Sequence, residues 1–252
     1  MIRVEEFHKS YEKTVAVAGI SFEVASGQIL GVVGPNGAGK TTTLKALSTV
    51  IPVTRGRMSV QEFDVEKESV EVRRRLAYVP DDPQLFPDLS VEQHLAFTAA
   101  AYRVDDADEK AAELLESFHL ADRRKTSASD LSRGMRQKLA ICCAYLHDPA
   151  ALLFDEPMTG LDPFGIRILN ASIRERAAAG ASVIISSHLL TMVEDICTHV
   201  LILDKGRQRF CGTLQELTRT FVSSDAGASL ERIFFLATGD EPTSRDPVEA
   251  AG

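Results

Sequence analysis

The stretch Gly34-Pro35-Asn36-Gly37-Ala38-Gly39-Lys40-Thr41-Thr42 has the residue types and spacing to hold a polyphosphate. Its Gly-x-x-x-x-Gly-Lys-Thr pattern puts glycines where backbone N–H groups can turn inward around a phosphate. Lys40 is then placed to reach the β- and γ-phosphates of a nucleoside triphosphate, and the Thr41 hydroxyl to bind Mg2+. A second set of groups follows at Ala151-Leu152-Leu153-Phe154-Asp155-Glu156-Pro157. A hydrophobic strand that delivers a carboxylate at its C-terminal end is where α/β folds place ligand chemistry. Asp155 can hold Mg2+ directly or through water, and Glu156 can polarise an attacking water. Together the two stretches suit binding and hydrolysis of ATP as the Mg2+ complex.

Elements of the right kind flank both stretches. The apolar run from Gln28 to Val33 reads as a buried strand leading into the glycine loop, and residues 40–50 read as a helix leaving it. The helix N-terminus adds positive partial charge at the phosphate. Upstream, residues 2–7 and 15–24 alternate apolar and polar as antiparallel strands do. Residues 58–60 read as a short strand, 66–75 as a charged helix and 76–79 as a strand. From Asp81 to Pro149 strand-like runs vanish, and helices are expected over 91–103, 106–119 and 132–147. Ser90 with Gln93 forms a capping-box signature, and Asp130 or Ser132 marks the third start. Strands at 150–154, 182–186, 199–203 and 208–211, with helices at 164–179 and 189–196, resume the α/β pattern. Buried strands alternating with helices imply a parallel sheet covered on both faces. The fold class is therefore α/β. We expect a P-loop NTPase with a mixed, mainly parallel sheet, an N-terminal antiparallel β subdomain and an inserted helical subdomain.

Composition narrows the classes. The chain has 252 residues, 44% hydrophobic and 25% charged, as ordinary globular proteins do. No apolar run approaches the roughly 18–20 residues needed to span a bilayer. The opening Met-Ile-Arg-Val-Glu-Glu-Phe has no basic flank before an apolar stretch, so no secretory signal is expected. A formal charge of −8 argues against a broad basic surface for nucleic acid. The local run Arg73-Arg74-Arg75 reads as a solvated helix face. The cysteines, Cys142, Cys143, Cys197 and Cys211, lack metal or redox spacing and read as core residues of a reducing compartment. The tail after Thr238 is polar and Pro-containing, and disorder is expected over 240–252.

Three further stretches separate this chain from other P-loop proteins. Leu131-Ser132-Arg133-Gly134-Met135-Arg136-Gln137 opens a helix shortly before Asp155. Gly160-Leu161-Asp162-Pro163 follows the carboxylates, and a lone His188 follows the next strand. In this order the motifs resemble the nucleotide-binding domain of ATP-binding-cassette (ABC) proteins, in particular an exporter-like branch. The resemblance runs from about Ile2 to Gly239. It implies one ATPase domain over 1–239, with 1–80 and 150–220 as core, 81–149 as helical subdomain and 221–239 as C-terminal helix.

By the same resemblance, Tyr11 falls where an aromatic ring stacks on adenine. Ser132, Arg133, Gly134 and Met135 match the signature loop, which caps the γ-phosphate bound by the other protomer of a homodimer or pseudo-dimer. Asp162 would line that interface, and His188 matches the histidine that contacts the γ-phosphate. Three departures stand out. Arg133 occupies the place of a second glycine. Asp81, after Tyr78-Val79-Pro80, replaces the usual Gln beside the metal and could still reach it. Residues 61–65 lack the glycine usual in that turn.

The implied function is the ATP-hydrolysing subunit of a membrane transporter, peripheral on the cytoplasmic face. A separate integral-membrane permease would supply the pore, its cytoplasmic helix received by a groove near residues 81–93. The alternative is an ABC ATPase acting in DNA repair or translation. Such proteins usually carry long coiled-coil insertions or two nucleotide domains, and neither is visible here. A kinase or GTPase is disfavoured by the missing guanine-recognition motif Asn-Lys-x-Asp.

Overall fold

In the computed structural model residues 1–188, 190–221 and 230–238 are described. The tail expected to be disordered lies outside them. An antiparallel sheet is built from β1 (Ile2–Tyr11), β2 (Thr14–Val24), β4 (Arg55–Val60) and β5 (Phe63–Asp64), in the order β2-β1-β4-β5. A second sheet holds β3 (Ile29–Val33), β6 (Leu76–Val79), β7 (Ala151–Asp155), β8 (Ser182–Ser186), β9 (His199–Asp204) and β10 (Arg207–Thr213). Its order is β10-β9-β3-β8-β7-β6, parallel apart from the β9–β10 pair. This is the mixed, mainly parallel sheet with an N-terminal antiparallel sheet that the sequence implies.

Strands β3, β6, β7, β8 and β9 are buried on both faces, which is why they are nearly continuous apolar runs, whereas the edge strand β10 is polar and partly exposed. Val33, Phe154, Ile185 and Ile202 point to the core shared with the large helices. Their neighbours Val32, Leu153, Ile184 and Leu201 point to the core shared with the antiparallel sheet and α1 (Lys40–Leu47). The period-2 alternation of strands thus stitches one sheet into two cores.

Between β6 and β7 come α3 (Val91–Tyr102), α4 (Ala107–Ser117) and α5 (Arg133–Tyr145), preceded in the chain by α2 (Ser69–Arg75). Ser90 and Gln93 form the capping box reciprocally, and the Ser132 hydroxyl accepts from the Met135 N–H to cap α5. Just beyond α5, Asp148 pairs with Lys110 of α4 and with Arg176 of α6 (Pro163–Ala178), tying the helical segment to the core. The last helices among the described residues are α7 (Leu190–Ile196), α8 (Leu214–Phe221) and α9 (Leu230–Thr238).

Several boundaries differ from the sequence reading for local reasons. Helix α1 stops at Leu47 instead of residue 50, because Thr49 turns left-handed at φ 62°. Helix α2 starts at Ser69, not at residue 66, because the Asp64 carboxylate accepts from the N–H groups of Glu66 and Lys67 in a turn. Strand β5 and helix α8 were not anticipated. The turn into β5 uses Gln61 and Glu62 at φ 48° and 75°, so two side-chain-bearing residues adopt the left-handed backbone that glycine would take more readily. The Arg73-Arg74-Arg75 run sits on α2, where Glu71 pairs with Arg74 and Arg75.

Candidate active site

Three neighbouring parallel strands, β3, β8 and β7, end side by side, and the candidate chemistry gathers at their C-terminal ends, where such sheets bind ligands. The Gly34–Thr42 loop leaves β3 and opens α1. A Cβ on Gly34 would lie 2.3 Å from the Leu203 carbonyl oxygen, so only glycine fits between the loop and β9. Gly39 sits at φ 102° with the Ala16 carbonyl 2.9 Å from where its Cβ would be. No side chain caps α1, so its first N–H groups remain available to an anion.

Lys40 is buried to 7% exposure, and its Nζ donates to the carbonyls of Gly34 (2.7 Å) and Pro35 (3.3 Å). Burial pulls the Lys40 ammonium below its ordinary range, while Glu156 and Asp155 draw it back up. A cation held by neutral carbonyls has exchangeable partners, and phosphate oxygens are stronger acceptors.

Asp155, 3% exposed at the end of β7, is held by hydroxyls from three elements. Thr41 Oγ1 of the loop donates to its Oδ1 at 3.1 Å, Ser186 Oγ of β8 donates to the same oxygen, and Tyr78 Oη of β6 donates to Oδ2 at 3.3 Å. Burial first, then the charge of Asp155, pushes the Tyr78 phenol well above its ordinary range, keeping it a donor. Hydroxyl and carboxylate oxygens beside a phosphate site are the hard donors Mg2+ prefers, and Mg2+ ordinarily takes few protein ligands. Thr41 and Asp155 therefore fit that ion.

Glu156 adopts a left-handed backbone at φ 47°, which is costly for a side-chain-bearing residue. Its N–H donates to the Ser186 carbonyl (3.1 Å) and hydroxyl (3.2 Å), which hold it there. Its Oε2 lies 2.7 Å from His188 Nδ1. Thr14, Val15, Ala16, Asn36 to Thr42, Asp81, Asp155 and Glu156 line one open cleft of about 480 Å3, a size typical of small-molecule sites.

Other expected residues sit elsewhere. Tyr11 does not line this cleft. It ends β1 opposite Thr14, 46% exposed, with Lys9 Nζ 5.0 Å from its ring centroid. Ser132 to Met135 also lie outside the cleft lining, at the start of α5. There Gly134 packs on the segment after Glu156, where a Cβ would come within 2.5 Å of the Gly160 carbonyl. Asp162 caps α6 by accepting from the Gly165 N–H at 2.6 Å. Arg133 reaches from its loop to Asp81 on the cleft wall at 3.2 Å.

Two participants escaped the sequence reading. In sequence Ser186 is only the end of a buried strand, yet it pairs with Asp155 across β7–β8. Tyr78 served only as a landmark before Asp81. In each case a hydroxyl near the C-terminal end of an otherwise mostly apolar strand is the available signal.

The chain is similar to known proteins in both sequence and fold. Residues 17–159 match the ABC transporter family model. The chain is 33% identical over 243 residues to the ABC-type transporter ATP-binding protein EcsA of Bacillus subtilis, covering 96% of this chain and 98% of that one. It is 31% identical to the Nod factor export ATP-binding protein I of Cupriavidus metallidurans, covering 96% of this chain and 78% of that one. A solved structure of an ATP-binding subunit of an ABC transporter superposes with a TM-score of 0.89 at 33% identity, covering 94% of this chain and 99% of that one. The chain thus belongs to the ATP-binding subunits of ABC transporters, the family that hydrolyses ATP to power transport through membrane permease components.

Proposed function

We propose that this chain binds MgATP in the cleft above Gly34–Thr42 and drives a separate permease by closing on a second copy of itself. The observation that carries the reading is the meeting of Thr41 with Asp155, with Glu156 one residue on, in a cleft shared with Lys40. Lys40 exchanges its loop carbonyls for β- and γ-phosphate oxygens. Thr41 and Asp155 would hold Mg2+, which when bound would supply positive charge against the phosphates, and Asp81 lines the same cleft. Glu156 polarises the attacking water, and His188, paired with it, positions it toward the γ-phosphate. Tyr11 and Val15, at the β1–β2 turn, offer surface for the adenine.

Ser132, Arg133, Gly134 and Met135 meet the nucleotide of the second protomer, and Asp162 lines that contact. ATP bridges two protomers better than ADP and phosphate do, so hydrolysis favours opening. Residues 81–149 act as a helical subdomain within a unit spanning 1–239. Its exposed Phe86, Phe97 and Tyr102, beside a cavity of about 400 Å3, offer an apolar seat for the permease's cytoplasmic helix. The chain would then lie peripherally on the cytoplasmic face. Among the described residues no helix is long and apolar enough to cross a membrane. An export direction is supported by the name of the Nod factor relative.

The test is Glu156→Gln. The variant is expected to keep ATP affinity, to hydrolyse about 100–10,000-fold more slowly, and to elute as a dimer with MgATP. A variant that stays monomeric and hydrolyses normally contradicts the reading. A pull-down of the wild type from detergent-solubilised membranes should carry an integral-membrane partner.

A further inference from the structure

Two of the departures from the family pattern touch each other. Asp81 Oδ1 accepts from Arg133 Nη2 at 3.2 Å, 52 positions apart in sequence. Asp81 belongs to the phosphate cleft and Arg133 to the signature loop, so one ion pair joins a chain's own nucleotide site to the surface it offers elsewhere. The arginine is guided there. A Cβ on Gly160 would lie 3.1 Å from both Cγ and Cδ of Arg133, so the aliphatic stem runs directly across that glycine. The side chains remain 49% and 47% exposed. Exposed pairs are individually weak, and a guanidinium binds a triphosphate more strongly than a single carboxylate.

We propose that Asp81–Arg133 is an exchangeable clasp within the open chain. On closure Arg133 leaves Asp81 for the γ-phosphate held by the second copy. The clasp therefore opposes closure, while its arginine, once released, favours it. The inference rests on the reading that two chains close around ATP. It adds that the two partners of one ion pair have opposite effects on that closure. A pair that only supports the fold would give both substitutions the same sign.

The experiment follows dimerisation by light scattering against MgATP concentration, in a Glu156→Gln background that arrests hydrolysis. Asp81→Asn frees the arginine and should lower the half-saturating ATP concentration roughly 2–5-fold. Arg133→Gln removes the phosphate partner and should raise it by about 5-fold or more. Arg133→Lys keeps a cation and should stay nearer the parent than Arg133→Gln. Thermal melts check that each variant is folded. If the Glu156→Gln parent never dimerises with ATP, the closing reading itself fails. If the parent dimerises but the Asp81 and Arg133 variants shift it in the same direction, or not at all, the clasp alone is overturned.

Discussion

The Gly34–Thr42 loop and the Ser132–Met135 turn, the proposed phosphate and signature loops, both contain glycine and open a helix, yet the chain treats them differently. Around Gly34–Thr42 the backbone is enclosed by β9 and β2, Lys40 is buried, and Asp155 is locked by three hydroxyls. The first turn of α1 lacks a side-chain cap, and its residues line the cleft. At Ser132–Met135 the serine already caps its own helix, Ser132 and Arg133 are exposed, and Gly134 rests on Gly160. The first region is enclosed by the fold and lines the cleft. The second is supported from behind and turned outward. The proposed closure of two copies around ATP would use this division, each region meeting the other across the interface.

The largest effect should come from breaking the inward region. Lys40→Ala removes a buried cation that would meet two phosphates. ATP affinity, measured by titration with a fluorescent analogue, should fall roughly 10–100-fold. Breaking the outward region should instead spare the monomer. Gly134→Val places branched bulk against the Gly160 carbonyl, and the clash should cost about 1–3 kcal/mol of local packing. Monomeric nucleotide binding is expected to survive while ATP-dependent dimerisation and turnover are lost. If both variants lose nucleotide binding equally, the contrast between the regions is wrong.

Two smaller effects sharpen the contrast. Ser186→Ala removes a buried donor to Asp155 and should lower stability by about 1.5–3 kcal/mol, read by urea unfolding. Bound MgATP should recover part of that loss, because the nucleotide binds only the folded chain. The smallest effect concerns the far end of the helix that carries the signature loop. There His147 stacks on Tyr102 with ring centroids 3.8 Å apart, and burial lowers its pKa from 6.5 to about 4. Between those values the unfolded chain takes up a proton that the folded chain refuses. Stability therefore falls as pH drops from 6.5 toward 4. His147→Phe keeps the stack and should flatten that part of the wild-type decline in melts taken across the range.

Much of this was legible in the sequence because the informative residues are close together. Gly34–Thr42, its flanking strand and helix, the Asp155–Glu156 pair and the Ser90–Gln93 box are all local patterns. What stayed hidden depends on sheet order. Ser186 and Tyr78 meet Asp155 only because β7 lies between β8 and β6, and strand order does not follow chain order here. The Asp81–Arg133 pair was visible as two separate departures, but their contact needs α5 placed beside the loop after β6. Strand β5 hid behind Gln61 and Glu62, which take a backbone usually signalled by glycine. Tyr11 was assigned by motif position, and the geometry sets it beside the cleft lining, not within it. Helix α8 opens at Leu214 with Glu216 accepting from the Thr213 N–H, a short start signal that the preceding strand obscured.

The central claim is that one working site is built from the inward region of one chain and the outward region of another. Mixing Lys40→Ala with Gly134→Val tests it most directly, because each homodimer then has two broken sites. A mixed dimer pairs the intact phosphate loop of the Gly134→Val chain with the intact signature loop of the Lys40→Ala chain. ATPase activity of the mixture, measured alongside the permease or in its absence, should exceed the sum of the two variants assayed alone. A mixture that never rises above that sum, although light scattering shows mixed dimers, contradicts the account.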